Sequence, residues 1–222
     1  MNHFRFSHLG LAALALTSAG AVNAASVSYY LNQTNGEPFL VDGVNYLQVT
    51  ISDSAFGLDP NAIRFNVTLL SPLTSIASSN FGIQSFGFNT NQTVATVLAA
   101  IAGLPGGWSA GTGNNQDGFG NFELVDSGTG SNRQNPTLTF YVSGVAGDAV
   151  ADYAVVSSGT AGQGNVFFAA HVAGFLDQDP GANELSSAYF GGSTQVVPVP
   201  AAAWLFGSGL AGLGWVRRRA RR

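Results

Sequence analysis

Ile63-Arg64-Phe65-Asn66-Val67-Thr68-Leu69 alternates an apolar and a polar residue at every step. Successive side chains of a strand point to opposite faces, so Ile63, Phe65, Val67 and Leu69 fall on one side and Arg64, Asn66 and Thr68 on the other. A helix would scatter the same residues around its circumference. The stretch therefore reads as a half-buried strand with one face on a core. The pattern returns at residues 44–51, where Tyr46 and Gln48 oppose Leu47, Val49 and Ile51. It returns again in Ile83–Phe88 and in Leu138–Val142. In Val166–Val172 it sets Val166, Phe168, Ala170 and Val172 against Phe167, Ala169 and His171.

Turn-forming pairs separate these runs: Asn35-Gly36, Asp42-Gly43, Asp59-Pro60, Gly106-Gly107, Asp117-Gly118, Gly147-Asp148 and Pro180-Gly181. Strands recurring between turn signals predict an all-β body, a single antiparallel β-sandwich of jelly-roll-like type. The exception is Thr93–Leu104, whose Val94, Val97, Leu98 and Ile101 share a helical face, so at most one short helix is expected. Neither an internal repeat nor a second domain is evident. The body is expected over residues 25–190, with Gly191–Val197 as a linker.

The first 24 residues have the parts of a secretory signal: Arg5 with His3 and His8, the apolar run Leu9–Val22, and small residues in Val22-Asn23-Ala24. Cleavage is expected after Ala24. The other end reads Pro198-Val199-Pro200, then an uncharged run from Ala201 to Val216, then five arginines in the last six residues. As a helix, residues 201–216 would span about 24 Å, slightly short of a bilayer core of roughly 30 Å. Flanking valines and snorkelling arginine stems extend it. A transmembrane helix with the arginines on the cytoplasmic side is expected, which places the body across the membrane. Pro198 and Pro200 keep the preceding segment extended, where a membrane protease can grip it. Gly207/Ala211 and Ser208/Gly212 are small-xxx-small pairs that suit close helix approach or simply reflect glycine in a membrane helix.

Removing both ends leaves two basic residues, Arg64 and Arg133, against twelve acids, a net charge near −10. The chain has no lysine. Such a surface repels phosphate backbones, so no nucleic-acid partner is expected, and acidic polysaccharide would need bridging divalent cations. The absence of cysteine excludes disulfides, thiolate metal sites and a thiol nucleophile. Sixteen Phe and six Tyr point instead to an aromatic core large enough to hold without bridges.

The C-terminal order resembles the PEP-CTERM sorting signal of exported bacterial proteins, which exosortases recognise. Pro198-Val199-Pro200, Ala201 to Leu210 (AAAWLFGSGL) and Arg217, Arg218 and Arg219 carry the likeness. Val199 stands where the name-giving motif has glutamate. The resemblance implies cleavage near Pro200, display at the cell surface or in the extracellular matrix, and exopolysaccharide or biofilm as the setting. Stretches 80–89, 117–123 and 167–175 are also similar to the extracellular domain often found ahead of this tail, and imply a β-rich fold without a catalytic residue.

Four chemistries are weighed in the body. Gly107-Trp108-Ser109-Ala110-Gly111 fits G-x-S-x-G, and Ser109, Asp148 or Asp152, and His171 could be written as a triad. The motif follows Leu104-Pro105-Gly106 and leads into a glycine-rich stretch that cannot be a helix, which argues against a hydrolase. His171, the one histidine outside the signal, reads as a hydrogen-bonded structural residue. Residues 114–123, with Asp117, and 177–184 offer oxygen ligands around glycines, as calcium loops do, but without EF-hand spacing. Trp108, with Tyr29, Tyr30 or Tyr153, could stack on sugar rings if exposed, although core burial is the commoner fate of an aromatic. The expected function is non-catalytic, with no required cofactor or metal; a carbohydrate- or calcium-binding surface module is the alternative.

Overall fold

β4 (Asp59–Leu69) contains the alternating stretch, and its apolar set lies at 0–4 % exposure. The computed structural model describes residues 25–128, 130–176 and 185–196. The chain is mostly β and every strand pair is antiparallel. β4 pairs on one side with β3 (Leu47–Phe56) and on the other with β9 (Thr137–Val142). β1 (Ser26–Leu31) and β12 (Thr194–Val196) extend this first sheet beyond β3, and β6 (Ile101–Ala102) extends it beyond β9. The second sheet runs β2 (Gln33–Thr34), β11 (Ser187–Gly192), β10 (Phe168–Phe175), β5 (Ala77–Phe88), β8 (Gly120–Ser127) and β7 (Ser109–Gln116).

The two sheets meet across one aromatic core. Phe65 of the first sheet stacks on Phe140, with ring centroids 4.7 Å apart, and meets Phe88 of the second at 4.9 Å. Tyr153 closes on Phe65 edge-on at 5.0 Å. Tyr29 against Phe168 and Tyr46 against Phe190 continue the contact along the sheets. A smaller cluster of Phe119, Phe122, Val166 and Ala169 lies on the other side of the second sheet. There Gly87 and Gly191 form a floor: a Cβ on either would run into the ring of Phe122 or Phe119. The hairpin joining β7 and β8 folds its tip over that floor.

Two expectations are corrected. The described residues contain two short helices, α1 (Ser71–Thr74) and α2 (Val94–Ala100), rather than at most one. Pro72 starts α1, since proline at a first turn loses no helical hydrogen bond, and Leu73 anchors it in the core. α2 buries Val97 but stops before Leu104, because Ile101 and Ala102 pair with Val142 and Tyr141 of β9. The expected linker is the second correction. Gly191 and Gly192 end β11, and residues 194–196 pair with β1 as β12. Gly192 is glycine because a Cβ would collide with the Tyr30 carbonyl, not because the chain is loose. No helix among the described residues is long and apolar enough to cross a membrane. Residues 1–24, 177–184 and 197–222, with the expected calcium-type segment 177–184, the signal peptide ending at Ala24 and the tail from Pro198 to Arg222, lie outside the described residues.

Candidate functional site

The outer face of the first sheet is built from the polar half of the alternation. Register aligns it in rows: Ser26, Ser52, Arg64 and Tyr141; Ser28, Thr50, Asn66 and Thr139; Thr194, Tyr30, Gln48, Thr68 and Thr137. Strand spacing near 4.8 Å and two-residue steps near 6.8 Å make this a plane of roughly 19 by 14 Å. Hydroxyls and amides engage one another across it: Ser28 Oγ lies 2.7 Å from Thr50 Oγ1, and Thr68 Oγ1 donates to Asn66 Oδ1 at 3.3 Å. None of the named positions is a carboxylate. Arg64 supplies a positive charge, and its Nε is shielded from solvent without a partner among the described residues. The face therefore combines hydroxyls, amides, a half-buried tyrosine and a guanidinium on an otherwise acidic body.

One end of the same sheet is the opposite in character. Two adjoining cavities of about 490 Å³ each share Asp53 and Asp148. Asp59 lines one of them; Ala25, Tyr29 and Gln195 line the other. The carboxylates are tied down by backbone and hydroxyl donors. Asp59 accepts from the N–H groups of Asn61 at 2.9 Å and Gly144 at 2.7 Å, and from Ser143 Oγ at 3.1 Å, which holds it below the usual carboxylate range. Burial pushes Asp148 up, with the charges of Asp152 and Asp59 adding to the effect. The Tyr153 hydroxyl donates to Asp148 Oδ2 at 2.8 Å and opposes that rise; burial first, and then this bond, push Tyr153 far up.

The structure does not assemble the serine triad. Ser109 is exposed at the start of the edge strand β7, and His171 sits in β10. Register places Ser109, Ser127, Ser85 and His171 in one row, so three strand spacings, about 14 Å, separate serine from histidine. A catalytic pair needs hydrogen-bond reach of about 3 Å. Asp148 is committed to Tyr153 at the edge of the first sheet, and Asp152 accepts from Gln92 Nε2 at 2.8 Å. His171 instead stacks on Tyr189 at 4.4 Å and 15°. Burial, followed by the charge of Arg133, lowers its pKa, so the imidazole is neutral at physiological pH.

Of the two fates weighed for Trp108, the structure shows burial, the commoner one. Trp108 is 8 % exposed, belongs to the main core and donates its Nε1–H to the Asn132 carbonyl, so its ring faces are not offered to a ligand. Tyr29 and Tyr153 are core residues too. Only Tyr30 of that set stands on an outer face. Residues 114–123 form the end of β7, a turn and the start of β8. The exposed Asp117 carboxylate accepts from Asn35 Nδ2 at 3.1 Å, which fastens the turn to the segment after β2. Among the described residues no group of three or more histidine, aspartate or glutamate side chains is placed to hold a metal ion. Arg64 and its neighbours were the residues that motif reasoning missed. Their signal was the polar half of the period-two pattern, free of acids in β3, β4 and β9 over the paired rows.

No protein family, curated protein or solved structure matches this chain.

Proposed function

We propose that this chain is an exported, non-catalytic surface or extracellular-matrix protein, sorted by an exosortase and acting in exopolysaccharide-associated aggregation. The observation that carries the reading is the C-terminal order of Pro198-Val199-Pro200, an uncharged run and an arginine cluster. The facing sheets support reading the displayed body as a β-sandwich, and the repeated passage of the chain between them supports the jelly-roll-like form. Mass spectrometry of the mature protein from its native host tests the sorting. A C-terminus near Pro200 is expected; a chain still ending at Arg222 would overturn the sorting and leave a plain membrane anchor.

The carboxylate-free face favours a second, compatible reading as a carbohydrate-binding module. Its hydroxyls and amides match a polyhydroxylated chain, and Arg64 matches a uronate without a bridging cation. Arg64→Glu is expected to weaken retention on an acidic polysaccharide by about tenfold, or about 1.4 kcal/mol. Affinity electrophoresis with EDTA present reads this directly. Retention that is indifferent to the charge reversal, or that vanishes with EDTA in the unaltered protein, would reject the face as the contact.

A further inference from the structure

Ala25 begins the described chain, and its backbone nitrogen donates to Asp53 Oδ2 at 2.8 Å. The Asp53 nitrogen in turn donates to the Ala25 carbonyl at 2.9 Å. Ala25 is therefore pinned to β3 twice, one residue ahead of the regular β1–β3 register that opens with Ser26 opposite Ser52. The same residue is the first that would remain after cleavage at Ala24. We infer that signal removal converts this contact into an ion pair, in which the new α-ammonium is the resident cation of the acidic cleft and latches β1 to β3. The inference rests on the export reading above.

The chemistry is a simple hydrolysis. Water cuts the bond between the Ala24 carbonyl carbon and the Ala25 nitrogen; its hydroxyl goes to the carbon and its proton to the nitrogen. The freed amine takes one further proton from solvent. A neutral N–H donor becomes a charged one at the same position, and charge-assisted hydrogen bonds are roughly twice as strong as neutral ones. In the unprocessed chain the nitrogen carries no charge, so only the mature protein has the latch.

The groups around the nitrogen favour the charged form. Asp53 on β3 is bonded to it, and Asp148, on the segment after β9, lines the same cavity as Ala25, with Tyr29 of β1 and Gln195 of β12 as uncharged neighbours; Asp59 on β4 lines the adjoining cavity. No arginine lines either cavity. Arg64 belongs to the outer face of the sheet, two strands from Ser26. Nearby carboxylates raise an α-amino pKa above its ordinary value of about 7.7–8.0. The stability contributed by the pair is then complete below that ordinary value, and is lost as pH rises through the higher folded one.

Because the chain contains no lysine, the processed protein has a single primary amine, and acylation reports on it alone. The exported protein, purified from its native host, is treated with trace acetic anhydride at pH 7, native and in urea, as wild type and as Asp53→Asn. The native wild-type amine is expected to react about three- to tenfold more slowly than the unfolded one. Asp53→Asn, which keeps an acceptor and removes the charge, is expected to abolish that protection. Equal native and unfolded rates in the wild type, or equal protection in the variant, would overturn the ion pair. The mass of the labelled peptide separates the two failures. A start elsewhere than Ala25 defeats the processing reading and the latch with it, whereas an unprotected amine on Ala25 defeats the latch alone.

Discussion

Replacing Phe65 with alanine is expected to lower the unfolding free energy by about 3–5 kcal/mol. Phe65 is wholly buried at the meeting of the two sheets, where its ring touches Phe86, Phe88, Phe140 and Tyr153. The alanine would forfeit the transfer free energy of the ring and leave a void walled by other rings. Those rings are held from two different sheets, so they cannot collapse together into the gap without shifting strand positions. A domain of this size has roughly 5–15 kcal/mol in total, so the loss is a large share of it. Urea titration of the purified protein should show a lower midpoint at unchanged slope. Leu58 provides the contrast. It is apolar but fully exposed at the tip of the β3–β4 hairpin, and Leu58→Ala should stay within about 0.5 kcal/mol. If Phe65→Ala cost less than about 1 kcal/mol, the rings would not be the common core that joins the sheets.

The strand that contains Phe65 was legible in the sequence because alternation is a local property. The buried half of Ile63–Leu69 was predicted residue by residue, and the outward half came with it. What alternation cannot say is which strands are neighbours. The polar face therefore went unseen, since it exists only once β1, β3, β4 and β9 are laid side by side in register. What holds Trp108 in the core is illegible for a related reason. Its flanking glycines and serine suggest an exposed loop, yet its burial depends on a carbonyl at Asn132 and on the absent side chain of Gly128, both far along the chain. Composition misled again at residues 191–196, where glycine and serine look like linker. There the glycines are small because Phe119 and the Tyr30 carbonyl occupy the space. α2 shows the reverse failure: helical periodicity persisted to Leu104, but pairing with β9 outweighed it after Ala100.

The separation of charge in the body follows from the same register. An acidic protein that adheres to polysaccharide must present a surface where its own carboxylates do not repel the partner. The rows around Asn66 meet that need, because the acids nearest to them, Asp53 and Asp59, turn into the cleft at the sheet's end and are occupied there by backbone donors. The polar face and the acidic cleft are thus placed on different parts of one sheet.

Gly174→Ala is expected to cost about 3 kcal/mol or more, and the reason is backbone rather than side chain. Gly174 has φ of +85° in β10, where the pairing with β5 shifts between Ala173 and Phe175. The N–H groups of Gly174 and Phe175 both donate to the Ser186 carbonyl, at 2.8 and 3.2 Å, so the extra residue is taken up as a bulge. A left-handed conformation alone costs a non-glycine residue about 1–2 kcal/mol. The added Cβ would also collide with the Asn80 carbonyl and the Phe81 Cα, which are main-chain atoms of β5 and not the far end of a flexible side chain. Overpacking of that kind adds about 1–3 kcal/mol. Gly144 separates the two contributions: its φ is +86°, but nothing lies within 4 Å of where a Cβ would stand. Gly144→Ala should therefore show the conformational cost alone, and the excess for Gly174→Ala in parallel urea titrations measures the close approach of β10 to β5. Equal losses at the two positions would mean that the strands slide apart freely, which would contradict a bulge fixed between β5 and β11.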